Sequence, residues 1–163
     1  MNNIELRFLD SFKFLSASLD TLSGGLGPDN LKFIRAAFPD DRHFQLASKK
    51  GTFPYEYLSS FEKLRETSLP PIENFYSRLR GSNVSVAEYE HAQTVWREFG
   101  IRNLSEYAQL YLKIDVLLVT DVFERFRKMS KSVYGFLSFF YQFRLQLVCD
   151  AGVTLGQAMP ALL

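Results

Sequence analysis

Tyr111 and Asp115 lie four residues apart in a segment whose apolar residues recur at helical spacing. Four residues is about one turn, so the phenol and the carboxylate share a helix face. The expected apolar stripe runs through Leu104, Ala108, Tyr111, Leu118, Val122, Phe126 and Met129, and Asp115 falls on it. The neighbours expected on that face are Tyr111, Leu112, Leu118 and Val119, none of them a cation. An ionised carboxylate on a core-facing stripe is strongly unfavourable unless it is paired or binds a metal. The counter-charge must come from outside the helix. An arginine from another segment would serve, and so would a divalent cation, which suits a carboxylate beside a phenol.

Other groups with chemical potential are scattered. Lys49 and Lys50 open a loop that runs Gly51, Thr52, Phe53, Pro54, Tyr55. Ser18 precedes Leu19 at a helix start, where a hydroxyl either caps the helix or contacts phosphate. His43 and His91 lack partners at metal spacing and are expected at the surface or in caps. Cys149 is the one cysteine, which excludes an intrachain disulfide and a cysteine metal cage. The net charge of +1 gives no global pull toward nucleic acid, so any basic patch is local. Such patches are expected at Lys49 and Lys50, and at Arg125, Arg127, Lys128 and Lys131.

The 163 residues suffice for one domain with a real core, and a hydrophobic share of 47% is ordinary for a globular chain. Polar residues interrupt the first apolar ones, so no signal peptide is expected. The longest apolar run, 136–141, is far short of the ~20 residues that span a bilayer. The expectation is a soluble intracellular protein with no membrane partner, nuclear or in a host cytoplasm.

The elements that must position these groups are mostly helical. Alternation of Ile4, Leu6 and Phe8 with Glu5 and Arg7 predicts a short strand over 4–9. Ser18 caps a helix that stops at Gly24 and Gly25. A second short helix is expected over 28–37, a turn at 39–41, one or two helical turns within 55–64, and a helix over 72–79. Ser85 with Glu88 forms a capping-box pattern for a helix over 86–99, with Tyr89, Ala92, Val95, Trp96 and Phe99 on its apolar face. Gly100 ends it. The helix carrying Tyr111 and Asp115 begins at Asn103 or Ser105 and extends toward Tyr134, with Gly135 as its stop.

Three stretches resemble, in the right order, the proofreading domains of family B DNA polymerases. The likeness is above all to the protein-primed branch of phages, linear plasmids and Maverick/Polinton-type mobile elements. They are residues 8–15 (FLDSFKFL), 50–57 (KGTFPYEY) and 111–118 (YLKIDVLL). Residues 61–64 and 69–71 are also similar to the mobile-element members, and the resemblance covers about 5–135. It implies a 3′–5′ exonuclease of RNase H-like α/β fold, of which this chain would hold a mostly α-helical part with one or two short strands. In that family four carboxylates hold two ions, Mg2+ or Mn2+, for phosphodiester hydrolysis. By resemblance Asp115 is a metal ligand and Tyr111 orients the attacking water or the scissile phosphate. Ser18 and Leu19 match a motif that touches the single-stranded primer end, and Lys50 matches the lysine that supports DNA binding at the exonuclease site. The implied partners are a primer-template with a single-stranded 3′ end, deoxynucleotides and a terminal protein primer.

The chain departs from that family. Its Asp-x-Glu motif and its Phe/Tyr-Asp motif are expected upstream of Phe8 and are not in the sequence, and no polymerase palm follows. Asp10 takes no metal role. Residues 1–135 are therefore expected to be the C-terminal part of an exonuclease-like domain, and 136–163 a divergent tail. The expected function is that of a fragment of a DNA-directed DNA polymerase, catalytically incomplete by itself. The alternatives are a non-catalytic helix-rich module that binds DNA or protein, and a mobile-element relic without function.

Overall fold

Local capping decides where this chain turns helical. The structure is a computed structural model and describes residues 17–134. Helix α1 (Leu19–Gly24) starts at Ser18, whose side chain accepts a hydrogen bond from the Thr21 backbone N–H. A 3-10 turn (Pro28–Asn30) leads into α2 (Lys32–Ala37). The single helix expected over 28–37 is thus broken at Leu31, which buries its side chain in the core. Helix α3 (Asp41–Ala47) follows, and the residues read as a turn at 39–41 turn out to open it. Asp40 is its cap, accepting from the His43 backbone N–H. Asp suits turns and caps alike, and only the continuation separates the two.

The middle of the chain is less regular. A 3-10 segment, Phe61–Arg65, supplies a helical turn at the end of the span where one or two were expected, and a second, Ile72–Phe75, replaces the expected helix over 72–79. One turn is too short to propagate without packing to sustain it. Helix α4 (Val86–Glu98) carries both arms of the capping box between Ser85 and Glu88. Gly100 follows at φ +60°, a conformation that glycine adopts without strain. Helix α5 (Leu104–Tyr134) runs 31 residues without a break, about 46 Å at 1.5 Å per residue.

The described residues are mostly helical. They contain no extended strand, only an isolated antiparallel bridge between Ser77 and Ser82. The strand expected over 4–9, the stop at Gly135 and the tail 136–163 lie outside the described residues. No helix among the described residues is long and apolar enough to cross a membrane. The chain divides into two compact units, Met1–Asp121 and Val122–Leu163.

In the first unit the core has two parts. Leu31, Ile34, Phe38, Phe44 and Ala47 pack with Ile114 and Leu118, joining α2 and α3 to α5. Ala92, Val95, Ile101, Leu104 and Tyr107 join α4 to α5. The buried stripe of α5 in this unit is therefore Leu104, Tyr107, Ile114, Leu118 and Asp121. Leu104, Leu118 and Val122 are buried as the sequence pattern predicts, but between Leu104 and Leu118 the structure corrects the phase read from the sequence. Ala108, Tyr111 and Asp115 sit on its flank, half-buried, while Leu112, Val119 and Met129 are exposed. Positions three and four apart fit two stripes that differ by one residue, and partners on other elements choose between them.

The carboxylate that is fully buried on α5 is Asp121, at 0% exposure. It accepts from the backbone N–H groups of Phe33 at 3.0 Å and Ile34 at 3.1 Å. These are orphan donors in the first turn of α2, whose own cap position is Leu31 and offers no side-chain acceptor. Replacing Asp121 by Ala leaves the buried Ile34 N–H and the part-buried Phe33 N–H without partners, and urea denaturation should show a loss of about 1–3 kcal/mol.

Candidate functional site

The loop after α3 folds back onto the middle of α5. Tyr107 donates its hydroxyl hydrogen to the Thr52 backbone oxygen at 2.7 Å, which pins the loop. Phe53 stacks on Tyr107 with ring centroids 5.9 Å apart and leans on Tyr111 at 5.1 Å. Tyr55 stands edge-on to Phe53 and to Tyr111. This aromatic box fixes the loop backbone and aims Lys50 at α5.

The Lys50 ammonium donates to Asp115 Oδ2 at 3.0 Å and Oδ1 at 3.3 Å, and to the Tyr111 hydroxyl at 3.1 Å. The Tyr55 hydroxyl donates to Tyr111 at 3.0 Å. The lysine and aspartate side chains keep only 20% and 21% of their exposure, so the pair is mostly withdrawn from water. The cation that Asp115 requires is thus a lysine of the same chain, and Asp115 is a flank residue rather than a core one.

Burial raises the Tyr111 phenol above its ordinary value, and the nearby Asp115 charge acts the same way, against the Tyr55 hydrogen bond. Partial burial, then the hydrogen bond to Tyr111, pushes the Tyr55 phenol up as well. Both phenols therefore stay protonated near neutrality. With the ammonium they form a hydrogen-bonded row beside one carboxylate, in which Lys50 and Tyr55 both donate to Tyr111, and neither phenol is a ready nucleophile.

The row opens into a pocket of about 380 Å³. Lys50, Tyr55 and Tyr111 line one side, and Asp20, Phe75 and Arg80 are among the residues that close it. Of the residues singled out in the sequence, Lys50, Tyr111 and Asp115 meet in one cluster. Ser18 and Leu19 do not touch it. Ser18 spends its side chain on the α1 cap and on Thr21, and Leu19 packs against the α2–α3–α5 core. Their neighbour Asp20 nevertheless reaches the pocket wall. Sequence reading missed Tyr55, whose only local sign was its place five residues after Lys50 in an aromatic loop. It also missed Asp121, visible only once Tyr107 and Ile114, at seven-residue spacing, define the buried stripe.

A divalent metal does not fit the described residues as they stand. Both Asp115 oxygens are taken by Lys50, and no three His, Cys, Asp or Glu side chains among the described residues converge as a ligand set. The basic patch expected further along α5 is partly neutralised. Arg127 and Lys128 both engage Glu124, whose carboxyl is held down to about 2 chiefly by the Arg127 hydrogen bond.

His43 is half-buried, its ring 4.4 Å from that of Phe99. His91 is half-buried in a small recess behind Tyr111, which Lys49 also lines. Compared with known proteins, no family model matches the sequence, and neither a curated protein nor a solved structure matches the chain.

Two outcomes follow from this geometry. In a double-mutant cycle of Lys50→Ala and Asp115→Ala, each single change should cost more than its share of the double. The coupling should be about 1 kcal/mol by chemical denaturation, since either change strands a mostly desolvated charge. Burial, then the Lys49 charge, lowers the His91 imidazole from its ordinary 6.5. The unfolded chain therefore binds the proton more readily. Stability from this group is complete above about 6.5 and declines as pH falls below it. His91→Gln should flatten that decline in thermal melts between about pH 7 and 5.

Proposed function

We propose that this chain is part of the proofreading domain of a protein-primed family B DNA polymerase, a DNA-directed DNA polymerase with 3′–5′ editing and an RNase H-like exonuclease fold. One observation carries the reading. The motif resemblance assigns Lys50, Tyr111 and Asp115 to one exonuclease site from separate stretches of sequence, and these side chains, 61 and 65 residues apart, meet within 3.0–3.3 Å. In the parent enzyme Mg2+ or Mn2+ would supply the hydrolytic chemistry. The described residues do not assemble that centre, so no hydrolytic step is assigned to them. Their part is to bind: a phosphate would compete with Asp115 for the Lys50 ammonium, and the Tyr55 ring, 64% exposed, offers a face for an unpaired base.

A second reading, a non-catalytic helix-rich DNA-binding module, is favoured by the way Lys50 occupies Asp115. A single set of assays separates the two. The chain is mixed with a labelled single-stranded oligonucleotide, with and without Mg2+ or Mn2+, and followed by gel and by fluorescence anisotropy. The expected result is binding that weakens steeply with salt, a several-fold loss in Lys50→Ala, and no shortening of the strand. Absence of binding at low salt would sink both readings. Metal-dependent shortening that Asp115→Ala abolishes would instead show a complete nuclease.

A further inference from the structure

Between Ser77 and Ser82 the chain makes a tight loop that the polymerase motifs do not include. Ser77 donates its backbone N–H to the Ser82 oxygen at 3.0 Å, and Gly81 donates to the Ser77 oxygen at 2.8 Å. Gly81 sits at φ +67°, a turn conformation that favours glycine. The loop pushes Arg78, Leu79 and Arg80 outward, with Leu79 97% exposed. Each arginine has one long carboxylate contact, Arg78 to Glu56 at 3.3 Å and Arg80 to Glu88 at 3.7 Å. Committed pairs in this chain are tighter, such as Arg42 with Glu98 and Arg127 with Glu124, each at 2.7 Å. Exposed pairs at such long distances hold their arginines weakly.

Arg80, Glu56 and Glu88 line the same pocket as Lys50, Tyr55 and Tyr111, and the Arg80 charge is felt at the Tyr111 phenol. Lys50 is already taken by Asp115, so Arg80 is the more available cation on the pocket wall. A guanidinium fork matches phosphate as well as it matches carboxylate. We infer that the 77–82 loop grips the backbone of a single DNA strand whose end enters the pocket, with Arg80 and Arg78 exchanging Glu88 and Glu56 for phosphates. This rests on the DNA-binding reading above and adds the residues that hold the strand. Asp20, Glu56 and Glu88 make the rest of the wall acidic. The strand is therefore held at the loop rather than drawn in by a basic funnel.

The test titrates the full chain into labelled oligo(dT), and into a duplex of the same length, by anisotropy between about 50 and 200 mM salt. Arg80→Ala should weaken binding to oligo(dT) by about three- to tenfold and lower the slope of log K against log salt by about 0.7, the value for one single-strand phosphate contact. Arg80→Lys should recover part of the slope. Glu88→Gln keeps an acceptor for the capping box and should tighten binding by freeing Arg80. If Arg78→Ala and Arg80→Ala leave the slope unchanged while Lys50→Ala weakens binding, the loop proposal is wrong and the wider reading stands. Duplex bound as tightly as oligo(dT) would overturn it as well. No binding by the unmodified chain removes both.

Discussion

Two backbone N–H groups at the start of α2 have no partner in their own helix, and the arrangement of the first unit rests on the carboxylate that takes them. Asp121, itself fully buried, caps a helix 87 residues earlier in the chain. An intrahelical cap such as Ser18 or Ser85 fixes only where a helix begins. This one fixes where α2 lies on α5. Leu31, Ile34 and Phe38 then meet Ile114 and Leu118, and α3 follows over the same face. The loop leaving α3 is thereby delivered to Tyr107, Tyr111 and Asp115. The position of Lys50 is a downstream result of a hydrogen bond made two turns further along α5.

What the sequence revealed and what it hid divide along the reach of the forces involved. The Ser18 cap, the Ser85–Glu88 box and the start of α5 were legible because caps and periodicity act over three or four residues. The 3-10 turns were not, since segments of one turn take their form from what they touch. The α5 stripe was read correctly at Leu104, Leu118 and Val122 but misread by one position at Ala108 and Asp115, because its apolar face is wide and its partners lie on α2, α3 and α4. That slip mattered: it placed the buried carboxylate at Asp115 when the helix buries Asp121. The need for an outside cation at Asp115 was read correctly from the helix, while the identity of that cation was a tertiary fact. The meeting of Lys50, Tyr111 and Asp115 was implied only by resemblance of motifs.

The site pairs most of its charges within itself. Lys50 answers Asp115, and Glu56 and Glu88 answer the loop arginines, while Asp20 adds a further carboxylate to the pocket wall. Recognition in such a place depends on donors, rings and exchangeable ion pairs, each aimed by packing around Phe53 and Tyr107. A lysine is also a different kind of counter-charge from a metal ion. It is tethered, it brings three hydrogens, and it leaves no open coordination position.

The contacts that build this cluster span 55–65 residues, and the Asp121 cap spans 87 and 88. Each such contact closes a long loop before it yields any stabilisation, and the entropic cost rises by about 0.6 kcal/mol with each doubling of the loop. Helical domains usually fold fast because their contacts are local. Here α4 and α5 can form early from neighbouring residues, whereas the lysine–tyrosine–aspartate row waits for α2, α3 and their loop to arrive. The chemistry of the chain therefore depends on closures of 55–65 residues, shorter than the 87 and 88 that the Asp121 cap spans.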